Sequence, residues 1–217
     1  MIFETKRLTL REMTYDDLPA LRVIVQDEQT MYAWNGAWSE EETVEGLGKQ
    51  LRAYKEDGFG RWAVVLKETG AVIGMCGLLW WDTDKDRVPE IGYLFNRAYW
   101  HNGYATEAAI ACKEYAFNSL KFKEIFSIVR NTNIVSKNVA IRNGMTVRAR
   151  FVKYYRGVDM PHFVLSATPP PLLESMNDFF TKRANIYDEY MLESVDGVAD
   201  GYIEFAKHLP DGIETFF

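Results

Sequence analysis

Residues His101 to Ala108, HNGYATEA, combine a glycine turn with the entry to a helix, a pattern suited to holding phosphate. Successive main-chain N–H groups at such a turn form a nest for anionic oxygen, and the positive end of the helix adds to it. Gly103 lets the backbone approach a phosphate closely, and Ala105 keeps the next contact small. The implied ligand is a pyrophosphate held by main-chain donors rather than by a lysine. A glycine before a helix is also common where nothing binds, so the motif by itself leaves an ordinary helix start open.

The other reactive side chains are scattered. Cys76 and Cys112 have no metal-ligand spacing and read as free thiols in a reducing cytoplasm. With His101, His162 and His208 far apart, no metal site is expected. His101 stands in a loop, where a histidine is more simply a bystander than a catalytic group. Asp82, Asp84 and Asp86 read as a solvated turn, because neither the glycine nor the closing glutamate of a calcium loop falls in register. Tyr32, Trp34 and Trp38, with Tyr154 and Tyr155 later in the chain, are suited to walling an amine pocket. Trp80 and Trp81 read as packing.

Positioning these residues requires an ordered set of elements. RLTLR at residues 7–11 alternates like a short strand. Thr14 and Asp17 open an amphipathic helix to about Val25, and Ser39 with Glu42 caps a second that runs to about Asp57. Strands are predicted at Arg61–Leu66, Val72–Trp81 and Val88–Phe95, and then a helix over Thr106–Ser119. A strand at Glu124–Val129 and a helix at Ile134–Asn143 follow, the helix stopped by Gly144. Met145–Lys153 and Asp159–Ala167 close as a hairpin. This order implies an α+β fold with a mixed, mostly antiparallel sheet of about seven strands flanked by helices.

The totals divide the chain. Net charge is −6, but residues 169–217 hold ten acidic and three basic residues, net −7, leaving 21 acidic and 22 basic, net +1, in residues 1–168. Thr168-Pro-Pro-Pro171 marks the boundary, because three prolines make a stiff extended linker. No basic stripe suggests nucleic acid, no apolar run suggests a membrane span, and the N-terminus lacks a signal-peptide core. The expected location is cytoplasmic.

Residues 1–168 resemble the GNAT superfamily of N-acetyltransferases, in particular its RimJ/RimL-like branch. ETKRLTLREMTYDDLPAL is similar to that branch's first strand and helix, and EIGYLFNRAYWHNGYATEA resembles its acetyl-CoA signature. In the signature window Trp100 stands where Arg or Gln is usual, and His101 and Asn102 where a Gly and a Lys or Arg are commoner. Gly103 and Ala105 match. Asn133, Ser136, Gly144 and Met145 fall at the spacing of a second family element, Asn-x-x-Ser…Gly-Phe. The resemblance implies the GNAT fold and acetyl-CoA as co-substrate, without metal. It further implies cofactor contacts at Leu94, Phe95, Asn96, His101, Asn102, Gly103, Tyr104, Ala105, Thr106, Asn133 and Ser136.

Transfer to an amine requires a proton acceptor, donors for the carbonyl oxygen, and a proton for the thiolate. The resemblance gives the base role to Glu90, directly or through water, and the oxyanion to the main-chain N–H of Phe95 or Asn96. Many relatives carry a tyrosine acid where this chain has Ala140, which leaves Ser136 as the candidate; a helix-start serine bonded to its own backbone is the plain alternative. Trp34 and Tyr155 are the expected substrate contacts, for a small-molecule amine or a peptide N-terminus.

Residues 176–217 resemble the lead-in helices of a class I S-adenosylmethionine-dependent methyltransferase, without the glycine loop that would hold its cofactor. A bifunctional parent is implied, with residues 169–217 as an acidic helical extension. Tyr187, Tyr190, Met191, Tyr202 and Phe205 there call for a covering surface, on the acetyltransferase domain or on a second protomer in a homodimer. Two alternatives to an active enzyme remain from the residues: a non-catalytic acyl-CoA-binding regulatory module, and a fragment of an acetyltransferase/methyltransferase fusion.

Overall fold

The computed structural model describes residues 2–83 and 86–169. Strands β1 (Phe3–Glu4) and β2 (Leu8–Arg11) lead to helices α1 (Leu18–Val25) and α2 (Glu40–Glu56), then to strands β3 (Arg61–Leu66), β4 (Val72–Asp82) and β5 (Arg87–Phe95). Helix α3 (Tyr104–Asn118), strand β6 (Ile125–Arg130), helix α4 (Ile134–Arg142) and the hairpin β7 (Thr146–Tyr155) and β8 (Val158–Ala167) complete it. The sheet runs β1-β2-β3-β4-β5-β6-β8-β7, antiparallel except where β5 meets β6. It has eight strands rather than about seven, because the two-residue β1 adds an edge. Phe3 of β1 pairs with Leu10 and rests edge-on against Trp62.

Local chemistry accounts for the helix ends. Thr14 and Ser39 each form the expected capping box, with Asp17 and Glu42 reaching back to the cap N–H. The first turn after Thr14 is a tight 3-10 turn, Tyr15–Asp17, and regular helix begins only at Leu18, beside Pro19, which has no N–H to donate. Asp17 is buried and accepts both Nη1 and Nη2 of Arg11 as well as the Thr14 N–H. Helix α3 starts two residues before its predicted position because Gly103, in the left-handed region, serves as its N-cap.

One core lies between the sheet and α3, with Trp62, Val64, Cys76, Leu78 and Ile91 meeting Ala108, Cys112 and Ala116. Small residues on α3 let it lie close to the strands. A second core on the other face joins Leu21, Ile24 and Val25 of α1 and Leu47 of α2 to Ala63 and Met75. The two cysteines are buried and free. No helix among the described residues is long and apolar enough to cross a membrane. The expected methyltransferase-like extension falls on residues 170–217, outside the described residues, and so does Asp84 of the acidic turn.

Arg61, Gly77 and Gly92 form one cross-strand row. A β-carbon at Gly77 would stand 2.1 Å from the Gly60 carbonyl oxygen and 2.6 Å from Arg61 Cα, both main-chain atoms that cannot rotate away. Gly77→Ala is therefore expected to lower stability by at least ~2 kcal/mol, as overpacking against backbone does, read as a lower urea midpoint.

Candidate active site

Strands β5 and β6 are in register at one pair only, Glu90 with Phe126. Beyond it the main chains part, and side chains span the gap: the buried Ser127 Oγ donates to the Ile91 carbonyl at 3.1 Å, and the Ile128 N–H lies near enough to the Glu90 carboxylate to favour its charged form. Two cavities open beside this seam, one of about 390 Å³ and one of about 260 Å³, and Trp34, Asn133 and Ser136 line both.

The larger cavity gathers most of the predicted cofactor contacts: Leu94, Phe95, His101, Gly103, Tyr104, Ala105 and Thr106, with Asn133 and Ser136. At its mouth the backbone alternates, with His101 at φ 64° and Gly103 at φ 78°. Among the described residues the main-chain N–H groups from His101 to Thr106 have no protein partner; the first helical bond, Glu107 N–H to the Gly103 carbonyl, comes just after them. Six consecutive free donors at a helix start form an anion nest.

The cation missing from the loop itself comes from distant parts of the chain. Arg7 Nη1 donates to the Asn102 carbonyl at 2.9 Å, and its guanidinium lies 4.5 Å from the centre of the Tyr104 ring. Glu107 holds Arg7 in place, accepting its Nε and main-chain N–H and the Thr5 hydroxyl. Burial opposes ionisation of Glu107, but these donors outweigh it and keep the carboxyl below the usual range. Arg142, at the end of α4, lines the same mouth. Nothing local to position 7 or 142 in the sequence signals this convergence.

The predicted contact at Asn96 lies differently. The Asn96 N–H is bonded to the Ile73 carbonyl at 2.9 Å and its side chain caps the turn at Ala98, so it cannot serve an oxyanion. Antiparallel alternation turns the Phe95 N–H the other way, toward the seam. Asn102 is exposed, its side chain donating to the Tyr99 and Trp100 carbonyls.

Asn133 caps α4 through the Ser136 N–H at 3.0 Å, and the same oxygen accepts the Tyr32 hydroxyl at 2.8 Å. One amide thus ties the aromatic loop to the helix and fixes the wall between the cavities. The Ser136 hydroxyl donates to Tyr93 Oη at 3.1 Å, and Tyr93 in turn donates to the Ser136 carbonyl. Burial raises the Tyr93 phenol well above its ordinary range, so it stays protonated. Tyr93 was not among the predicted site residues, although it stands inside the EIGYLF segment.

The smaller cavity holds Glu90, Trp34, Trp38 and Tyr155, together with Trp81, which the sequence assigned to packing. Tyr154 is 73% exposed and points to solvent instead. Burial pushes the Glu90 carboxyl above its usual range, against the partial opposition of Arg61, the Ile128 N–H and Lys153. Among the described residues Glu90 has no ion-pair partner, and it is half-buried and faces the cavity rather than bulk solvent. Among the described residues no group of three or more His, Cys, Asp or Glu is arranged to hold a metal.

The sequence model of the acetyltransferase (GNAT) domain matches residues 7–146. YkkB, an uncharacterized protein of Bacillus subtilis (strain 168), is 34% identical over 142 residues, covering 65% of this chain and 83% of its own. The uncharacterized N-acetyltransferase YnaD of the same organism is 30% identical over 154 residues, covering 70% and 87%. An acetyltransferase structure from Agrobacterium tumefaciens superposes with a TM-score of 0.65 at 28% identity, covering 76% of this chain and 92% of that one. The ribosomal L7/L12 α-N-protein acetyltransferase RimL in complex with coenzyme A shares the fold, with a TM-score of 0.64 at 16% identity over 77% and 97%.

Gly103→Asp would place a β-carbon at positive φ and a carboxylate beside the free amides. It is expected to weaken coenzyme A binding at least ~100-fold, the equivalent of two charge-assisted hydrogen bonds. Gly70→Asp, at φ 72° with nothing within 4 Å, carries the same backbone strain away from the nest and is expected to leave binding near the parent value by calorimetry.

Proposed function

This chain belongs to the acetyltransferase (GNAT) family, and we propose that it transfers an acetyl group from acetyl-CoA to a primary amine by direct attack of the amine on the thioester. The observation that carries this is the meeting of two sites at one seam: an anion nest of free amides, and a cavity holding a half-buried carboxylate, sharing Trp34, Asn133 and Ser136 as their wall.

The residues present fit acetyl-CoA. The amides of His101 to Thr106, with Arg7 and Arg142 beside them, would hold the pyrophosphate. The walls at Leu94, Phe95, Tyr104, Asn133 and Ser136 would hold the pantetheine arm. Bound there, acetyl-CoA supplies the activated acetyl thioester. A protonated amine is no nucleophile, and an alkylamine with a pKa of about 10.4 is mostly protonated at neutral pH. Glu90, raised toward neutrality by burial, accepts the proton directly or through water. The Phe95 N–H faces the developing charge on the carbonyl oxygen. As the C–N bond forms the C–S bond would break, the attacking nitrogen losing its second proton and the leaving sulfur gaining one to depart as the thiol. The hydroxyls of Tyr93 and Ser136 stand where they would meet that sulfur in place of the tyrosine many relatives carry at the position of Ala140, provided one of them gives up its present bond, Tyr93 to the Ser136 carbonyl or Ser136 to the Tyr93 oxygen. Residues 1–168 form the catalytic unit in this scheme, and no step uses residues 169–217.

A second reading, a non-catalytic acyl-CoA-binding module, is favoured by Ala140 and by the engagement of the Ser136 hydroxyl with Tyr93. Thiol release with a panel of amines separates the two: tight coenzyme A binding without turnover of any amine supports the module.

Glu90→Gln tests the base. Removing a general base costs ~100-fold or more in kcat/KM, and the acid limb of the pH–rate profile, with its midpoint above the usual carboxylate range, is expected to disappear. Stability moves the other way. The folded state binds the Glu90 proton more tightly than the unfolded chain does, so this group's contribution is largest below the unfolded pKa and is lost as pH rises through the folded one. Glutamine is neutral like the protonated form, so the variant is expected to melt at or above the parent temperature at pH 7.

A further inference from the structure

We propose that the acceptor is a small primary amine bearing an anionic group, an amino-acid-like molecule whose carboxylate or phosphonate meets Arg61, Arg130 and Lys153 while its amine faces Glu90. This rests on the amine-acetylation reading above and narrows its substrate class.

The smaller cavity is positively charged. Arg61, Arg130 and Lys153 line it, against the single carboxylate of Glu90. Among the described residues Arg61 forms no ion pair, and its Nε is buried without a hydrogen-bond partner. Arg130 gives Nη1 to the Tyr32 and Ala33 carbonyls, which are neutral, and its Nε is likewise buried and unpartnered. Lys153 lies 5.4 Å from the Tyr155 ring centre on the exposed hairpin. His162, on the same wall, is driven toward its neutral form by burial and by the nearness of Lys153 and Arg130. The charge facing the buried Arg61 guanidinium is Glu90, whose own carboxyl burial drives toward its neutral form, so the guanidinium is poorly compensated, which is costly; an anion carried in by the ligand would offset that cost.

The sheet is shaped to admit Arg61. Its side chain crosses the row of Gly77 and Gly92, and a β-carbon at Gly92 would stand 2.9 Å from both Nε and Nη2. Two strands give up side chains at one level, and the guanidinium fills that trough to reach the wall that carries Glu90. Such a device is unneeded for a cationic acceptor. A polyamine or an aminoglycoside would bring further positive charge against three cations, and an internal peptide segment would bring an amide where an anion is favoured. The volume, about 260 Å³, is at the small end for ligand pockets and suits a compact acceptor.

The test compares matched acceptors by thiol release from acetyl-CoA: amino acids and an aminoalkylphosphonate against the corresponding carboxamides, with spermidine as the polycation. The anionic member of each pair is expected to have a kcat/KM at least ~10-fold above its carboxamide, as one charge-assisted contact implies, and spermidine the lowest. Arg61→Gln should bring the ratio close to one. Because that variant alters a packed trough, Lys153→Gln on the exposed hairpin gives a second reading, a several-fold smaller ratio that appears in KM. Equal rates within pairs, or a preference for carboxamide or spermidine, overturn the anionic acceptor and leave acetyl transfer standing. If no amine turns over, the transfer reading alone fails. Calorimetric titration of the same pairs into the coenzyme A-loaded protein then decides: tighter binding of the anionic member supports the proposal, and equal binding overturns it.

Discussion

Beyond the single register of Glu90 with Phe126, the edges of β5 and β6 carry N–H and C=O groups that have lost their ladder partners. Buried backbone polar groups must be satisfied somehow. Here one is met by the Ser127 hydroxyl, the Ile128 N–H lies near the Glu90 carboxylate, and the rest of the seam is left open to the cavities beside it. The gap between two strands therefore does two things together. It exposes unpaired donors where an acyl group would need them, and it pulls a carboxylate out of water into the protein. The raised proton affinity of Glu90 is a consequence of how the sheet parts.

The rest of the structure holds that seam in shape. Asn133 accepts from both Tyr32 and the α4 backbone, so the aromatic loop and the helix move as one wall. Arg130, at the end of β6, reaches back to two carbonyls of the same loop. At the other mouth Glu107, in the first turn of α3, grips Arg7 through side chain and main chain, and Arg7 in turn holds the Asn102 carbonyl. The nest of amides is thereby braced from the sheet edge. Its positive neighbour does not have to belong to the loop, which explains how a phosphate-type turn can tolerate His101 and Asn102 where a cation is usual.

Electrostatically the two cavities differ. The larger one is lined mainly by aromatic and apolar groups, with its charge confined to the mouth. The smaller one sets three cations against one carboxylate. Charges in so confined a space interact strongly because little water screens them. Gly92 shows that this charge placement is built into the strands themselves, since a side chain there would meet the Arg61 guanidinium, while one at Gly77 would meet the Gly60 and Arg61 main chain.

Periodicity and caps were enough to order the helices and strands, because each depends on residues three or four apart, or on alternate ones. The two capping boxes, the stop at Gly144 and the turn before α3 were legible for that reason. The glycine turn, Asn133, Ser136 and Glu90 could be named because they stand in short segments that resemble a known pattern. The short β1 edge was missed, since two residues carry no period. Tertiary structure alone decided the partners: Arg7 reaching Asn102 across 95 positions, Tyr93 supplying a phenol beside Ser136, Asn96 turning its N–H to Ile73, and Arg61 crossing two glycines to the wall of Glu90. A chain's local pattern determines which elements form. Which charges and hydroxyls meet between them depends on strand register and on where two strands separate, and no spacing within the sequence encodes that.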